Sequence, residues 1–454
     1  MKFKSTRGEI SNSFLQAFNT GLASDGGLFV PEQYPNIQDK LNHFSTLSYP
    51  ELVSEFFSLF DDEISKEEWL KLATSAYTNF DSEDKISLVN ISPEIHILEL
   101  FHGPTLAFKD FALQFVGKLY ERETKLNNKK YTILGATSGD TGSAAIYGVL
   151  DNLNINIFIL YPDGNISPMQ ELQITTTESR HVFPISIEGS FDDAQSIVKD
   201  LFSDKEFRDK INLRAVNSIN IARILAQSVY YLFTYLKLTK EGSAKPIRFI
   251  VPTGNFGNIL SGWILAKMGL DFSFVLSTNE NDVLHTLWET GIYEKKSAKV
   301  TSAPSMDIQQ ASNFERILYY MYDEDPTKVK EILKELKDRS RVTIDYSKIP
   351  KNISSTRTNN AEINDCIKSF YSKYNYVLDP HTACATKGIN NKYTNIILAT
   401  AAPAKFPEII NECINITPTH PRLEILKSKS RIREKLPADK NAIKSYILSR
   451  VNSD

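Results

Sequence analysis

Cysteine is scarce in this sequence, and its few occurrences lack the spacing of structural sites. Only Cys366, Cys384 and Cys413 occur among 454 residues, an odd number without a C-x-x-C pair. Neither a disulfide framework nor a structural zinc site is therefore indicated. A reducing compartment fits this usage, so a cytoplasmic location is expected.

Long apolar runs and an excess of one charge are missing as well. Because no run of about 18 apolar residues occurs and no apolar stretch follows residues 1–7, neither a membrane span nor a secretory signal is predicted. The formal net charge is -3 and basic residues are spread along the chain, which excludes the basic surface of a nucleic-acid-binding protein. No set of His, Asp and Glu residues shows metal-ligand spacing. The expected partners are therefore small molecules.

Composition and patterning indicate a globular α/β enzyme with two or three domains. The chain is 41% hydrophobic and 24% charged, which suits more than one core. Residues 1–90 are predicted to be helical, including a helix over Tyr49–Phe60, and a charged stretch from Asp323 to Arg341 predicts a solvent-facing helix pair. From about Ile95, short apolar runs alternate with Gly-rich turns and helices, which is typical of parallel strands with helical crossovers. The clearest predicted strands are Tyr131–Leu134, Ile155–Leu160, Ile247–Val251 and Asn395–Leu398.

Lys109 is an amine placed where its neighbours favour burial. Phe101, Leu106, Phe108 and Phe111 surround it in the sequence. An amine that loses water also loses proton affinity, so its neutral, nucleophilic form becomes easier to reach, and such a lysine can form a Schiff base. Taken alone, a lysine whose stem covers an apolar surface is the simpler interpretation.

The first glycine-rich stretch, Gly135–Ala145, directly follows the strand Tyr131–Leu134. It combines small residues with Ser and Thr hydroxyls and leads into a helix start. Glycines let the backbone approach a ligand closely, and free N–H groups at a helix N-terminus favour an anion. The stretch therefore predicts a site for a carboxylate or a phosphate, with close packing of the turn as the alternative.

The second glycine-rich stretch, Pro252–Gly262, follows the strand Ile247–Val251 and precedes an apolar helix. Gly254 and Gly257 permit backbone N–H groups to converge on one anion at the helix N-terminus. The Walker pattern G-x-x-x-x-G-K-[ST] and the dinucleotide pattern G-x-G-x-x-G are both absent from this stretch. This favours a phosphate group that is held without a metal ion.

Thr400 lies at the C-terminal end of the predicted strand Asn395–Leu398, just beyond its last apolar residue. Ligands bind at this edge of parallel α/β sheets, so a hydroxyl there can meet a ring nitrogen or another polar ligand atom. Alone, it would be interpreted as a capping threonine.

Together, these features match the needs of pyridoxal phosphate. That cofactor requires an amine for its aldehyde, a phosphate cradle, a partner for its pyridine nitrogen and a nearby site for the substrate carboxylate. The sequence resembles the threonine synthases of the longer type found in fungi and many bacteria, within the tryptophan-synthase-β-like group of pyridoxal phosphate enzymes. Beyond the motifs above, the segments that carry the resemblance are Thr20–Pro31, Asn217–Gln227, Ala303–Gln309, Ser312–Arg316 and Asp379–Ala383.

The resemblance implies an α/β fold-type II pyridoxal phosphate enzyme, with open, mainly parallel sheets, helices on both faces and a helical N-terminal segment. It implies a lyase that converts O-phospho-L-homoserine and water to L-threonine and phosphate by γ-elimination and β-hydration, the last step of threonine biosynthesis. A monomer or homodimer is expected. The expected division is an N-terminal segment over 1–95, a part over 96–240 that includes the smaller α/β domain with the cofactor lysine and the carboxylate loop, and a larger α/β domain over 241–454 with the phosphate loop.

The resemblance also assigns roles in the cofactor site. Lys109 would hold the cofactor as a Schiff base and carry protons during the reaction. Thr400 would hydrogen-bond the pyridine nitrogen. Asp140 would lie near the phenolic oxygen, where related enzymes often carry asparagine, and its protonation state stays open. The cofactor phosphate would be held by Gly254, Asn255, Phe256, Gly257 and Asn258.

Substrate binding is assigned in the same way. Arg223 is expected to bind the substrate phosphate, because a guanidinium binds phosphate through two parallel hydrogen bonds. Lys118 and Arg316 are further candidates, and an interdomain salt bridge is the alternative role for Arg223. His381 is expected to be a structural hydrogen-bonding residue, with a position that faces the site as the alternative. The substrate carboxylate would be received by Thr137, Ser138, Gly139 and Thr141.

Two departures from the family pattern bear on function. Ala402 stands where relatives usually carry histidine, which puts proton transfer or a phosphate contact in doubt, whereas Ile221 in place of tryptophan is a packing change. The Ala402 departure keeps a related phospho-lyase open, which would take the same substrate and release 2-oxobutyrate. A non-catalytic phosphometabolite-binding relative is disfavoured, because the lysine, both loops and the strand-end threonine are all retained.

Overall fold

The structure, a computed structural model, describes residues 1–242 and 245–451. Its strands are β1 (Phe3–Ser5), β2 (Ile10–Ser11), β3 (Phe29–Pro31), β4 (Ser87–Ser92), β5 (Ile95–Glu99), β6 (Tyr131–Ala136), β7 (Ile155–Pro162), β8 (Val182–Glu188), β9 (Leu213–Ala215), β10 (Ile247–Pro252), β11 (Ser273–Thr278), β12 (Ile292–Glu294), β13 (Arg341–Thr343), β14 (Ile353–Arg357), β15 (Thr394–Ala399) and β16 (Glu434–Pro437). Its α-helices are α1 (Phe14–Thr20), α2 (Leu41–Phe44), α3 (Tyr49–Phe57), α4 (Lys66–Ala76), α5 (Lys109–Asn127), α6 (Asp140–Val149), α7 (Pro168–Thr175), α8 (Phe191–Ser203), α9 (Lys205–Lys210), α10 (Ile221–Lys240), α11 (Gly257–Lys267), α12 (Val283–Thr290), α13 (Phe314–Met321), α14 (Pro326–Arg339), α15 (Asn360–Tyr374), α16 (Pro380–Ala385), α17 (Pro407–Ile414), α18 (Pro421–Leu426) and α19 (Lys440–Val451). In the part of the chain that is described, no helix is both long and apolar enough to span a bilayer.

The larger sheet has the strand order β14-β11-β10-β15-β5-β4, and all neighbours are parallel except β4 and β5. Successive side chains of a strand point to opposite faces. Phe249 and Val251 of β10 accordingly join the core formed with α10 and α11, while Ile250 between them joins the core formed with α15 and α16. The sheet is therefore covered by helices on both faces, as expected for a parallel α/β sheet.

The second large sheet has the order β16-β8-β7-β6-β9, with all neighbours parallel. Ile157 and Ile159 of β7 face the core shared with α5 and α6, while Phe158 and Leu160 face the core that contains α8 and α19. The last strand and helix of the described chain pack with this sheet. The division of the chain near residues 95 and 240 stays a prediction.

The N-terminal segment combines helices α1 to α4 with a small antiparallel sheet of order β2-β1-β3, which the sequence patterning did not predict. Its aromatic side chains pack against α5. The rings of Phe57 and Phe115 lie 4.7 Å apart between centroids, and those of Tyr49 and Phe111 lie 5.5 Å apart. The segment thereby supports the helix that begins at Lys109.

The predicted central strands are confirmed, whereas two helix predictions need correction. All four predicted strands are present, as parts of β6, β7, β10 and β15. The helix predicted over Tyr49–Phe60 ends at Phe57. The helix pair predicted between Asp323 and Arg341 is wrong, because this stretch forms the single helix α14, whose apolar side chains are buried and whose charged residues face solvent.

Candidate active site

A cavity of about 1570 Å³ opens where the carboxyl ends of strands from both large sheets meet. Ligands of parallel α/β proteins bind at this edge. The loops after β6 and β10 and the end of β15 all contribute to its wall. The predicted site residues that line it are Lys109, Thr137, Ser138, Asp140, Thr141, Arg223, Gly254, Asn255, Phe256, Gly257, Asn258 and Thr400.

Lys109 is the first residue of α5, and its side chain is buried at the cavity wall. The preceding loop is fixed to the end of β15, because Phe108 N–H donates to Thr400 O at 2.9 Å. Burial lowers the pKa of the Lys109 amine, although the nearby Asp140 carboxylate opposes the shift. The neutral, nucleophilic form of Lys109 is therefore easier to reach than that of an exposed lysine.

Asp140, the first residue of α6, has both carboxylate oxygens fully engaged. Oδ1 lies 2.7 Å from Lys405 Nζ and accepts from Gln170 Nε2 at 2.8 Å. Oδ2 lies 3.3 Å from Lys109 Nζ and accepts from Ser305 Oγ at 3.0 Å. Burial by itself would raise the pKa of Asp140, but the two ammonium groups hold this pKa well below its usual range. Asp140 is therefore ionised and serves only as an acceptor.

The loop after β6 divides between residues that shape it and residues that face the cavity. The Thr137 hydroxyl accepts from two N–H groups of the loop at 2.8 and 3.0 Å and donates to Gly139 O. Gly139 has φ +129°, and a Cβ atom there would lie 2.3 Å from Gln170 Cδ, so this position requires glycine. Ser138 and Thr141 also line the cavity, but their hydroxyls have no hydrogen-bond partner among the described residues.

The loop after β10 leaves a donor free at the start of a helix. Phe256 adopts the left-handed conformation, with φ 62°, so that α11 begins at Gly257. Asn258 Oδ1 accepts hydrogen bonds from the Tyr230 and Tyr231 hydroxyls at 2.6 and 2.8 Å, whereas its Nδ2 is buried without a partner. An unsatisfied buried donor is costly. The loop therefore fits an acceptor-rich group such as a phosphate.

The three cations considered for the substrate phosphate have different surroundings. Arg223 lines the cavity, and its Nη1 is buried without a hydrogen-bond partner. Burial lowers the pKa of Arg223 to about 10. Arg316 is buried elsewhere and donates two hydrogen bonds to Phe29 O, and Lys118 pairs with Glu121 at 3.0 Å. The structure thus brings only Arg223 of these three cations to the cavity.

His381 is tied into the protein on both sides of its ring. Its Nε2 accepts from Ser305 N–H at 3.1 Å, so Nδ1 carries the proton that is donated to Asp379 Oδ1 at 2.9 Å. This bonding matches the expected structural role. Because the Ser305 hydroxyl also donates to Asp140, His381 fixes a residue that contacts the cluster around Lys109.

Sequence patterning missed Lys405, Gln170 and Ser305 as site residues. Lys405 is fully buried. A lysine in a turn is usually exposed, so its place in the sequence did not suggest a role in the site. Its sequence signal is its position five residues after Thr400, in an otherwise apolar turn at the ligand-binding edge. Gln170 carries no comparable signal, because its approach to Asp140 comes from a separate helix, α7.

The two departures from the family pattern are both packing positions in this chain. Ala402 lies in an apolar cluster with Leu106, Leu172 and Leu423. Ile221 is buried in the main core at the start of α10. An alanine at position 402 is therefore accommodated by apolar neighbours.

The cavity residues fit pyridoxal phosphate by their own chemistry. A buried amine is available for the aldehyde, Asn258 Nδ2 is an unpaired donor for the phosphate, and the Thr400 hydroxyl faces the cavity without a hydrogen-bond partner in the described structure. Among the described residues, no group of three or more His, Cys, Asp and Glu side chains is placed to hold a metal ion.

Models of three protein families match consecutive parts of the chain. The threonine synthase N terminus matches residues 2–77, the pyridoxal-phosphate dependent enzyme family matches 88–396, and the threonine synthase C-terminal family matches 381–447. The middle match contains Lys109, both glycine-rich loops and Arg223, whereas Thr400 lies in the C-terminal match. Pyridoxal phosphate is the cofactor of this family.

Relatives and solved structures agree with these matches over nearly the whole chain. The threonine synthases of Schizosaccharomyces pombe and Saccharomyces cerevisiae are each 42% identical, covering 90% and 91% of this chain and 89% of each relative. The crystal structure of pyridoxal-phosphate-bound threonine synthase from Brucella melitensis has a TM-score of 0.93 at 37% identity and covers 99% of both chains. The yeast threonine synthase structure has a TM-score of 0.91 at 38% identity, over 100% of this chain and 99% of that one. The chain therefore belongs to the threonine synthase family of pyridoxal-phosphate-dependent, fold-type II enzymes.

Proposed function

We propose that this chain is a threonine synthase, a lyase that converts O-phospho-L-homoserine and water to L-threonine and phosphate. The observation that carries the proposal is the buried amine of Lys109 between two helix N-termini, where the carboxyl ends of strands from the two large sheets meet. A buried amine suits an aldehyde, and helix N-termini suit the anionic groups of a cofactor and a substrate. Family membership supports the particular reaction.

Residues on three elements would hold the cofactor. Lys109 would bind its aldehyde, and the Thr400 hydroxyl would meet its pyridine nitrogen. When bound, pyridoxal phosphate withdraws electrons from the amino acid and makes the protons on its α- and β-carbons removable. The phosphate would lie at the N-terminus of α11, where the unpaired Nδ2 of Asn258 supports the assignment. The residues proposed to hold that phosphate are Gly254, Asn255, Phe256, Gly257 and Asn258.

Asp140 would lie at the phenolic side of the cofactor. Because its carboxylate is ionised, it accepts hydrogen bonds from protonated groups there and does not donate one. Its contact with Lys109, at 3.3 Å, also keeps the amine at the cavity wall.

The substrate would span the other free donors of the cavity. Ser138 and Thr141 would donate to its carboxylate, next to the N-terminus of α6. Thr137 and Gly139 would act by holding this loop in shape. Arg223 would bind the substrate phosphate, because its buried Nη1 has no partner of its own.

Lys109 is also the residue proposed to move protons. Once the substrate amine has displaced it, its neutral form can take a proton from the α- or β-carbon, and burial favours that form by lowering the pKa of Lys109. Phosphate then leaves from the γ-carbon and water adds at the β-carbon. The proton held by Lys109 is available to complete the product.

The test is a product assay with the purified protein. We expect a visible absorbance band from the bound cofactor, and formation of L-threonine and phosphate in equal amounts from O-phospho-L-homoserine. The Lys109→Ala variant should lose both the band and the activity. Release of ammonia and 2-oxobutyrate without threonine would instead identify a phospho-lyase, and the absence of a cofactor band would identify a non-catalytic binding protein.

We also propose that the enzyme works in the cytoplasm as a monomer or homodimer and binds no nucleic acid. The low cysteine content and the even spread of charge support this proposal. Light scattering on the purified protein would distinguish the two assembly states, and a mass above that of a dimer would contradict both.

A further inference from the structure

Lys405 is a buried cation that the proposed reaction does not use. It lies in the turn after β15 with no exposed surface, and it donates to Thr105 O at 3.0 Å. Its other contact is an ion pair with Asp140 Oδ1 at 2.7 Å. Burying a lysine with its charge is expensive unless the charge is paired. The charge of Lys405 therefore indicates a role for this residue beyond packing.

The geometry places Asp140 between two ammonium groups. Lys405 contacts one oxygen of the carboxylate at 2.7 Å, and Lys109 contacts the other at the longer distance of 3.3 Å. Gln170 and Ser305 donate to the same two oxygens. The shorter ion pair thus belongs to the lysine that does not line the cavity, and the cavity lysine has the longer one.

We propose that Lys405 is a positioning residue for Lys109: it holds Asp140 as an ionised carboxylate and keeps that charge from being committed to Lys109 alone. The proposal rests on the function proposed above, since it concerns the amine assigned to the cofactor. Lys405 touches neither the cavity nor the reacting atoms. It acts through Asp140, by leaving Lys109 free to give up its proton and react with an aldehyde.

The charges around Lys109 determine whether loss of the Lys405 charge raises or lowers the pKa of Lys109. Burial lowers the pKa of Lys109, Asp140 raises it, and Arg223 and Lys405 lower it further. His381 faces Asp140 from α16. Removing the charge at position 405 removes one repulsion from Lys109 and leaves Asp140 to pair with Lys109 alone. Both effects raise the pKa of Lys109.

Asp110 is the remaining charged group in this neighbourhood. It lies on α5 and faces Lys405, and its carboxylate accepts hydrogen bonds from Thr105 N–H at 2.8 Å and from the Thr105 hydroxyl at 2.7 Å. Burial raises the pKa of Asp110 to about 6. Above that pH Asp110 is ionised, but it is not among the main charges that shift the pKa of Lys109, so the predicted direction is unchanged.

The experiment measures Lys109 in the cofactor-free protein. Each variant is labelled with trace acetic anhydride across a pH series, and acetylation of the Lys109 peptide is quantified by mass spectrometry. In Lys405→Met we expect the labelling midpoint of Lys109 to rise by about one pH unit, which is a tenfold smaller neutral fraction at fixed pH below the midpoint. Lys387→Met is the matched control, because Lys387 pairs with Glu362 at the surface.

A second variant keeps the test decisive if the first does not fold. In Lys405→Gln the amide can still donate to Asp140 while the charge is lost, so the midpoint should rise as well. Circular dichroism shows which variants are folded. An unchanged midpoint in a folded Lys405 variant, or an equal rise in Lys387→Met, overturns the proposal.

The result is independent of the reaction itself. A raised midpoint in a protein that makes no threonine would support the role of Lys405 and contradict the proposed function. Threonine formation by the wild type together with an unchanged midpoint would do the reverse. As a further readout, Lys405→Met should bind pyridoxal phosphate about tenfold more slowly at neutral pH, because less neutral amine is available.

Discussion

Two sides of the same cavity differ in how completely their polar groups are paired. One side is the ion-paired cluster, formed by Lys109, Asp140, Gln170, Ser305 and Lys405. The other side carries unpaired donors, among them Arg223 Nη1 and Asn258 Nδ2. Both sides are buried, and each includes one residue at a glycine-rich stretch that the sequence predicts as an anion site, Asp140 on the first side and Asn258 on the second.

The difference indicates whether the polar groups of each side are paired in the protein alone or only after a ligand binds. Nearly all buried polar groups in native proteins are paired, so a fully bonded cluster is finished before any ligand arrives. Buried donors without partners fit acceptors that a ligand supplies, which in the proposed function are the phosphates of cofactor and substrate. Mutations should therefore affect folding on one side and ligand affinity on the other.

The largest effect is expected from removing the centre of the ion-paired cluster. Asp140→Ala should lower the free energy of unfolding by about 3–5 kcal/mol, because Lys405 is left buried without a counter-charge. Urea denaturation of the cofactor-free protein measures the loss. The matched control is Asp163→Ala, whose partners Arg433 and Lys435 are at the surface, and which should cost about 1 kcal/mol or less. Similar losses in both variants would contradict the distinction.

The unpaired donors should respond in the opposite direction. Arg223→Met should raise the free energy of unfolding of the cofactor-free protein by about 2 kcal/mol, because a buried guanidinium without full pairing is replaced by an apolar group of similar length. Its KM for O-phospho-L-homoserine should rise. Arg316→Met is the matched comparison and should be destabilising, since it abandons two hydrogen bonds with Phe29 O. A gain in stability for both variants would contradict the claim that only the unpaired guanidinium destabilises the cofactor-free protein.

A smaller effect is expected from Asn258→Asp. The aspartate can still accept from Tyr230 and Tyr231, but it lacks the Nδ2 donor and adds a negative charge beside the proposed phosphate. The Kd for pyridoxal phosphate should rise about tenfold, which is about 1.4 kcal/mol. Absorbance titration of the cofactor-free protein measures it, with the surface variant Asn375→Asp as control. An unchanged Kd would remove Asn258 from the phosphate site.

The smallest expected effect is the dependence of stability on pH in acidic solution. The pKa of Asp140 is lower in the folded protein than in the unfolded chain, so its contribution to stability is present above about pH 4 and is lost as pH falls below that value toward the folded pKa. The stability difference between the wild type and Asp140→Asn should therefore be constant from pH 7 to 5 and narrow in more acidic solution. Urea denaturation at a series of pH values would show it, and a difference that widens in acid would contradict the assignment.

The central sheets could be predicted from the sequence because their strands are long enough to show a pattern. The strands β7 and β10 are continuous apolar runs that end in turn residues, and parallel strands covered on both faces require such runs. The N-terminal strands, of two or three residues, are too short for any periodicity to appear. The helix α14 was predicted as two because charge density alone does not place a helix end.

The site was predictable where a motif is continuous and not where residues meet from a distance. Lys109 and the glycine-rich loops are each contained in one stretch of sequence. The pairing of Asp140 with Lys405 joins the start of one helix to a turn far along the chain, and no local pattern encodes it. Site residues that meet through such non-local ion pairs can therefore be identified only from the folded structure.

The edge position of β16 has a consequence for the order in which the molecule is made. This strand pairs in parallel with β8, from which it is separated by residues 189–433. A ribosome therefore releases β8 long before its neighbour exists, and the waiting edge presents unpaired backbone groups that invite another chain. Premature termination shortly before Glu434 would retain Lys109 and both glycine-rich loops yet yield a product inclined to aggregate.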